Sequence, residues 1–128
     1  MRYIACSNYE AWRLSEALWI SETKNLARFE CYQPQYSLVV RDIEEELIPL
    51  CQHKGLGVAV WSPLAGGLLS GKFKRDGQGP EGARRVQFDF PPVNKERAFD
   101  ILDVMRPMAE LKGVSVARLA IAWLLHQE

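Results

Sequence analysis

Hydrophobic positions change their period several times along this chain, and each change marks a predicted element. The opening run "RYIACSN" (residues 2–8) is rich in strand formers and ends in turn-forming polar residues, which predicts a short strand. Ala11, Leu14, Ala17 and Leu18 then recur at helical spacing, with Trp12 and Trp19 beside that stripe. "RFECYQPQYS" returns to alternation: Phe29, Cys31 and Gln33 share a side, and Pro34 ends the ladder. A second helix is expected to open at Asp42, with Glu45 completing a capping box, and to stop at Gly55. Its predicted apolar face is Ile43, Leu47, Leu50 and Cys51, and Pro49 is expected to kink it. "GVAVWSPL" predicts a third strand that is apolar on both faces, the pattern of a parallel sheet covered by helices.

Residues 72–93 break with all of this. Glycine, proline and charge dominate there, predicting a long surface loop of the kind that serves as a lid or binding segment or is disordered, with Arg84 and Arg85 on its surface. Helical spacing resumes with Ala98, Ile101, Leu102, Met105, Met108 and Ala109, where both methionines are expected to fill core. Ser115 is placed to cap a last helix, "VARLAIAWLLHQE", whose apolar character nearly all round predicts burial between neighbours. The order β-α-β-α-β-loop-α-α calls for right-handed parallel crossovers in an α/β fold. Three strands with both edges open make a poor free-standing sheet, so the pattern reads as part of a larger sheet or barrel.

Composition narrows the function classes. A chain of 128 residues with 48% hydrophobic and 25% charged residues suits one soluble globular domain, 1–128. Lys plus Arg equals Asp plus Glu at 16 each, which gives no sign of a nucleic-acid or anionic membrane partner. No apolar run approaches the roughly 20 residues of a membrane span, and the N-terminus lacks a signal-peptide pattern. Cys6, Cys31 and Cys51 fit neither a disulfide framework nor a zinc site, so reduced, packed thiols of a cytoplasmic protein are expected.

The polar residues gather where the strands end. The first strand closes on Ser7-Asn8, the second reaches Gln33, and the third passes Trp61 and Ser62 into a glycine-rich turn. In a parallel α/β protein these ends lie on one face, where ligands bind. Serine, asparagine and glutamine offer neutral donors and acceptors suited to an amide such as a nicotinamide carboxamide. Trp61 offers a flat face for a heteroaromatic ring, and Gly66 and Gly67 would let backbone N–H groups approach a phosphate beside Ser70 and Lys72. Each residue also has a plainer use: Ser-Asn caps helices, a strand-end Trp is often core, and Gln33 before Pro34 suits a turn.

The segments "RYIACSNYEAWRL", "YQPQYSLVVRDIEEELIPLCQHKGLGVAVWSPLAGGLLSGKF" and "GVSVARLAIAWLLHQ" resemble the aldo-keto reductases, in particular the branch close to the potassium-channel β-subunits. The resemblance implies a (β/α)8 TIM-type barrel that reduces aldehydes and ketones with NADP(H). It implies that Ser7, Asn8 and Gln33 hold the nicotinamide carboxamide and that Trp61 stacks on its ring. Ser62, Pro63, Leu64, Gly66, Ser70 and Lys72 then fall on the loop that cradles the pyrophosphate, and Ala5 stands where glycine is usual. The family's catalytic Asp, Tyr, Lys and His lie upstream of the region resembled, and the segment that grips the 2′-phosphate lies beyond it. No catalytic residue and no metal ligand is therefore assigned, and His53 and His126 are expected at solvated helix positions. The chain is expected to be a partial barrel, similar to strands five to seven of eight, that self-associates through open strand edges or joins the rest of the barrel. Two other roles stay open: a non-catalytic dinucleotide-binding or regulatory module, and a ligand-free oligomeric remnant.

Overall fold

The computed structural model describes residues 1–127, apart from the side chain of Arg84. The chain divides into two compact units, one formed by residues 1–35 and 42–61, the other by residues 36–41 and 62–128.

The first unit alternates strand and helix: β1 (Ile4–Ser7), α1 (Ala11–Thr23), β2 (Phe29–Gln33), α2 (Leu47–Lys54) and β3 (Gly57–Val58). The strands are all parallel in the order β1-β2-β3, with Cys6 opposite Tyr32 and Ser7 opposite Gln33. Helix α1 buries Leu14 and Leu18 as their spacing predicts, and leaves Trp12 and Trp19 exposed. These leucines pack with Cys6, Tyr32, Cys51 and Leu56 into the unit's core.

Three local expectations are corrected here. Helix α2 starts at Leu47, because Asp42–Glu44 winds into a 3-10 turn and Glu46, at the N-cap, makes no side-chain capping bond. Pro49 therefore falls in the first turn, where its missing N–H removes no helical hydrogen bond, so the reason for a kink disappears. Gly55 closes the helix with a left-handed φ of +66°, as expected. The third strand is only two residues long, and Val58 is exposed rather than buried on both faces. Pairing persists beyond it one bond at a time: the Ala59 N–H donates to the Tyr32 carbonyl at 3.0 Å and the Trp61 N–H to the Pro34 carbonyl at 2.8 Å. Proline has no N–H to return, so the ladder cannot run on regularly.

The second unit is built from α3 (Arg84–Gln87), α4 (Lys95–Leu111) and α5 (Val116–Leu125) around Ala65, Leu68, Leu69, Phe73, Ala98, Phe99, Leu102, Met105 and Ala120. Asn94 caps α4 by accepting from the Arg97 N–H at 3.0 Å, and Ser115 caps α5 by accepting from the Arg118 N–H at 3.2 Å. Residues 98, 102, 105 and 109 already fill the buried stripe of α4, so Met108 falls one position off it and is exposed. Helix α5 likewise buries only Ala120 fully, since its apolar residues occupy more faces than its neighbours cover. Among the described residues no helix is long and apolar enough to cross a membrane.

The three cysteines are free; Cys6 and Cys51 are buried and Cys31 partly so. Burial pushes the Cys6 and Cys51 thiols up. Burial also pushes the Tyr32 phenol up to about 12, with the neighbouring Cys6 and Cys51 adding to it. The Tyr32 hydroxyl donates to the Tyr9 carbonyl at 2.8 Å, a bond only the neutral phenol can make. All three groups prefer the protonated form when folded. Their contribution is thus complete below the unfolded thiol's pKa of about 8.5 and is lost as pH rises past it. The urea midpoint should stay level between about pH 7 and 8 and fall progressively above about 8.5. A midpoint that holds steady well into the alkaline range would contradict this reading of the core.

Candidate cofactor site

Four of the predicted residues belong to the first unit, at the C-terminal ends of its strands. The Ser7 hydroxyl donates to the Gln33 carbonyl at 2.8 Å, across the register that pairs these two residues. Asn8 takes a left-handed φ of +56°, a region asparagine tolerates better than most residues. Its Oδ1 accepts from the Trp61 indole Nε1–H at 2.9 Å. Gln33 is exposed at the end of β2, and Trp61 is partly buried in an isolated parallel bridge with Gln35. The predicted juxtaposition of Ser7, Asn8, Gln33 and Trp61 is therefore present.

The chemistry of these groups suits a primary amide. An indole nitrogen only donates, so the Asn8 atom facing it is oxygen, and the two Nδ2 protons point elsewhere. Ser7, with its proton on Gln33, keeps oxygen lone pairs that accept. A carboxamide needs one donor for its oxygen and acceptors for its NH2, and this set contains both. Gln35, passed over in the sequence, carries a buried Nε2 with no hydrogen-bond partner among the described residues. Its one mark in the sequence is a second glutamine just past Pro34, where β2 has already ended.

The other six predicted residues belong to the second unit, where the chain coils tightly. Ser62, Ala65, Gly66, Gly67 and Gly71 all have positive φ. The Gly66 N–H donates to the Ser62 Oγ at 2.9 Å, and the Gly67 and Leu69 N–H groups donate to the Leu64 carbonyl at 3.0 and 3.1 Å. The Ser70 hydroxyl donates to the Gly67 carbonyl at 2.6 Å. Ser62, Pro63, Leu64 and Ser70 are partly buried, and Lys72 is exposed. The donors that the sequence assigned to a phosphate, at Gly66 and Gly67, are thus used inside the loop.

Gly66 itself clears space for the chain. A Cβ there would lie 2.4 Å from the Phe90 carbonyl oxygen and 2.6 Å from Arg85 Nη1. Arg85, expected at the surface, is the correction this brings: its side chain is only 4% exposed. Its guanidinium donates to the Ala65 carbonyl at 2.7 Å and the Pro91 carbonyl at 3.1 Å, and pairs with Asp89 at 2.8 Å. Lys95 also pairs with Asp89 and, with Arg85, holds its carboxyl below the usual carboxylate range. Nearer the start of the same loop, Arg75 binds Glu96, Asp100 and Asp103 of α4 at 2.7–2.9 Å. The sequence showed two arginines in a polar stretch but not the carbonyls that one of them serves.

Residues 1–128, the whole chain, match the Aldo/keto reductase family. The chain belongs to the aldo/keto reductase family. It is 35% identical over 127 residues to the NADH-specific methylglyoxal reductase of Escherichia coli, covering 99% of this chain and 37% of that protein. Over 126 residues it is 32% identical to the probable voltage-gated potassium channel subunit beta of Arabidopsis thaliana, covering 94% of this chain and 38% of that one. The structure superposes on a glycerol dehydrogenase from Gluconobacter oxydans with a TM-score of 0.73 and 27% identity, over 97% of this chain and 36% of that chain. The fold is thus part of an aldo-keto reductase TIM-type barrel, with three parallel strands in an open sheet and accompanying helices. The chain spans less than half the length of these relatives.

Gly66→Ala should expose the packing role of this glycine, with Gly82→Ala as control. Gly82 has a φ of +73° but open space where a Cβ would go, so it isolates the backbone cost of about 1–2 kcal/mol. Gly66→Ala should destabilise by about 1–3 kcal/mol more in urea titrations, because Arg85 and the Phe90 carbonyl must move. Equal losses would mean that the 85–91 segment does not rest on this glycine.

Proposed function

We propose that this chain is the cofactor-holding part of an NADP(H)-dependent aldo-keto reductase that reduces aldehydes and ketones by hydride transfer. Ser7, Asn8 and Gln33 hold the carboxamide and the face of Trp61 takes the nicotinamide ring. The loop carrying Ser62, Pro63, Leu64, Gly66, Ser70 and Lys72 takes the pyrophosphate. The observation that carries this reading is the strand-end group itself: a donor–acceptor set beside an indole fixed by a hydrogen bond. With the Gly66 and Gly67 donors engaged, the positive charge for a phosphate comes from exposed Lys72. The bound cofactor supplies the hydride; the residues named here bind and orient. We assign no proton donor among them, so the chain alone binds without turnover, since a developing alkoxide is left unstabilised.

The similarity to a channel β-subunit favours a second reading, a non-catalytic module whose cofactor is sensed rather than consumed. We further propose self-association: among the described residues β1 and β3 each pair only with β2, leaving two outer edges for a second copy or the rest of a barrel. Three free thiols accord with a reducing, cytoplasmic setting.

NADPH titration followed by tryptophan fluorescence, with Trp61→Phe alongside, tests the reading. Saturable quenching is expected, lost in large part with Trp61→Phe and weakened about tenfold by Lys72→Ala, the size of one charge-assisted phosphate contact. No binding up to millimolar NADPH would leave a ligand-free remnant as the account of this chain. Sedimentation equilibrium should give a mass above that of one chain, and a strict monomer would rule out the edge pairing.

A further inference from the structure

The hydrogen bond from the Trp61 indole to Asn8 joins residues 53 apart in sequence and gives Asn8 a role that the strand-end pattern does not reveal. We propose that Asn8, besides holding the carboxamide, is a positioning residue: it sets the plane of the Trp61 ring, and so also acts on the cofactor through the indole. This rests on the reading that Trp61 receives a nicotinamide ring.

Three observations support it. First, the backbone hold on Trp61 is local, one bond from its N–H to the Pro34 carbonyl at 2.8 Å. Regular β3 ends at Val58, Trp61 sits in an isolated bridge, and the next residue, Ser62, turns left-handed with φ +54°. A backbone bond fixes where the ring starts, and a hydrogen bond from the ring itself restricts its rotation. Second, the anchor is chemically matched. An indole has a single donor, and an amide oxygen held at 2.9 Å satisfies it. Third, position 8 asks for two properties at once, a left-handed backbone at φ +56° and a side-chain acceptor. Glycine meets only the first, most residues meet neither, and asparagine or aspartate meets both. Holding the indole uses only Oδ1 of the amide, so the two Nδ2 protons remain for the carboxamide.

The requirement for two properties provides the test. Asn8→Gly keeps the backbone and removes the acceptor, while Asn8→Asp keeps both. In chain labelled with 15N-tryptophan, the Trp61 indole signal is identified by its loss in Trp61→Phe. That signal should lose its hydrogen-bonded downfield shift and exchange faster with solvent in Asn8→Gly, and keep both features in Asn8→Asp. An indole signal unmoved by Asn8→Gly overturns the proposal, whether or not the chain binds cofactor. The NADPH affinity lost in Asn8→Gly should exceed, by about three- to tenfold, the loss when Asn8→Gly is added to Trp61→Phe, and the loss that remains without Trp61 is the direct contact of Asn8 with the carboxamide. Equal losses in the two backgrounds would leave Asn8 its direct contact with the cofactor alone and overturn the positioning role. A wild-type chain without NADPH affinity overturns the cofactor reading, and the indole signal then decides the Asn8–Trp61 anchor by itself.

Discussion

Parallel pairing of β1, β2 and β3 brings strand ends that are far apart in sequence to one end of the first unit's sheet. Without that register Ser7 would not reach the Gln33 carbonyl, and Trp61 would not lie beside Gln35 within reach of Asn8. The pairing in turn depends on the apolar side chains beneath it. Tyr32, Cys6 and Cys51 are buried against Leu14 and Leu18, and a one-residue slip of β2 would turn Tyr32 out of that core. The core therefore fixes the register, and the register assembles the polar group.

The second unit solves a different problem. A chain with five positive φ values between Ser62 and Gly71 leaves carbonyls that no regular element satisfies. It satisfies them within the loop and with Arg85, whose guanidinium serves Ala65 and Pro91 while Asp89 balances its charge. The long polar stretch after Lys72 is thus tied down at two points, by Arg85 beneath the glycines and by Arg75 on α4. Exposed ion pairs such as those of Arg75 are individually weak, and the three carboxylates share one guanidinium in a network. The buried guanidinium is the stronger anchor, because removing it would leave two carbonyls without a partner.

Much of the fold was legible in the sequence because periodicity reports burial. The stripe on α1, the Gly55 stop and the Ser115 cap all lie where spacing and capping chemistry place them. The strand-end residues were legible because polar side chains interrupt apolar strands at comparable points. What could not be read depended on partners distant in sequence. Arg85 looks like any surface charge until Ala65 and Pro91 are beside it, and Asn8 looks like a turn residue until Trp61 is. The short β3 and the exposed face of α5 escaped for a related reason: apolar composition shows which residues can be buried, and coverage by neighbours decides which are. Gly66 shows the same limit, since a glycine seen alone cannot reveal whether ligand or chain fills the space it leaves.

The central claim is that the first unit presents the Trp61 indole, at its strand ends, to a nicotinamide ring. Its most direct test is an intermolecular NOE experiment on the full chain with NADPH, using Trp61→Phe to assign the indole protons. The account predicts cross-peaks between the nicotinamide ring protons and Trp61, with none to the exposed indoles of Trp12 and Trp19. Cross-peaks to Trp12 or Trp19 instead, or bound cofactor with no contact to Trp61, would contradict it.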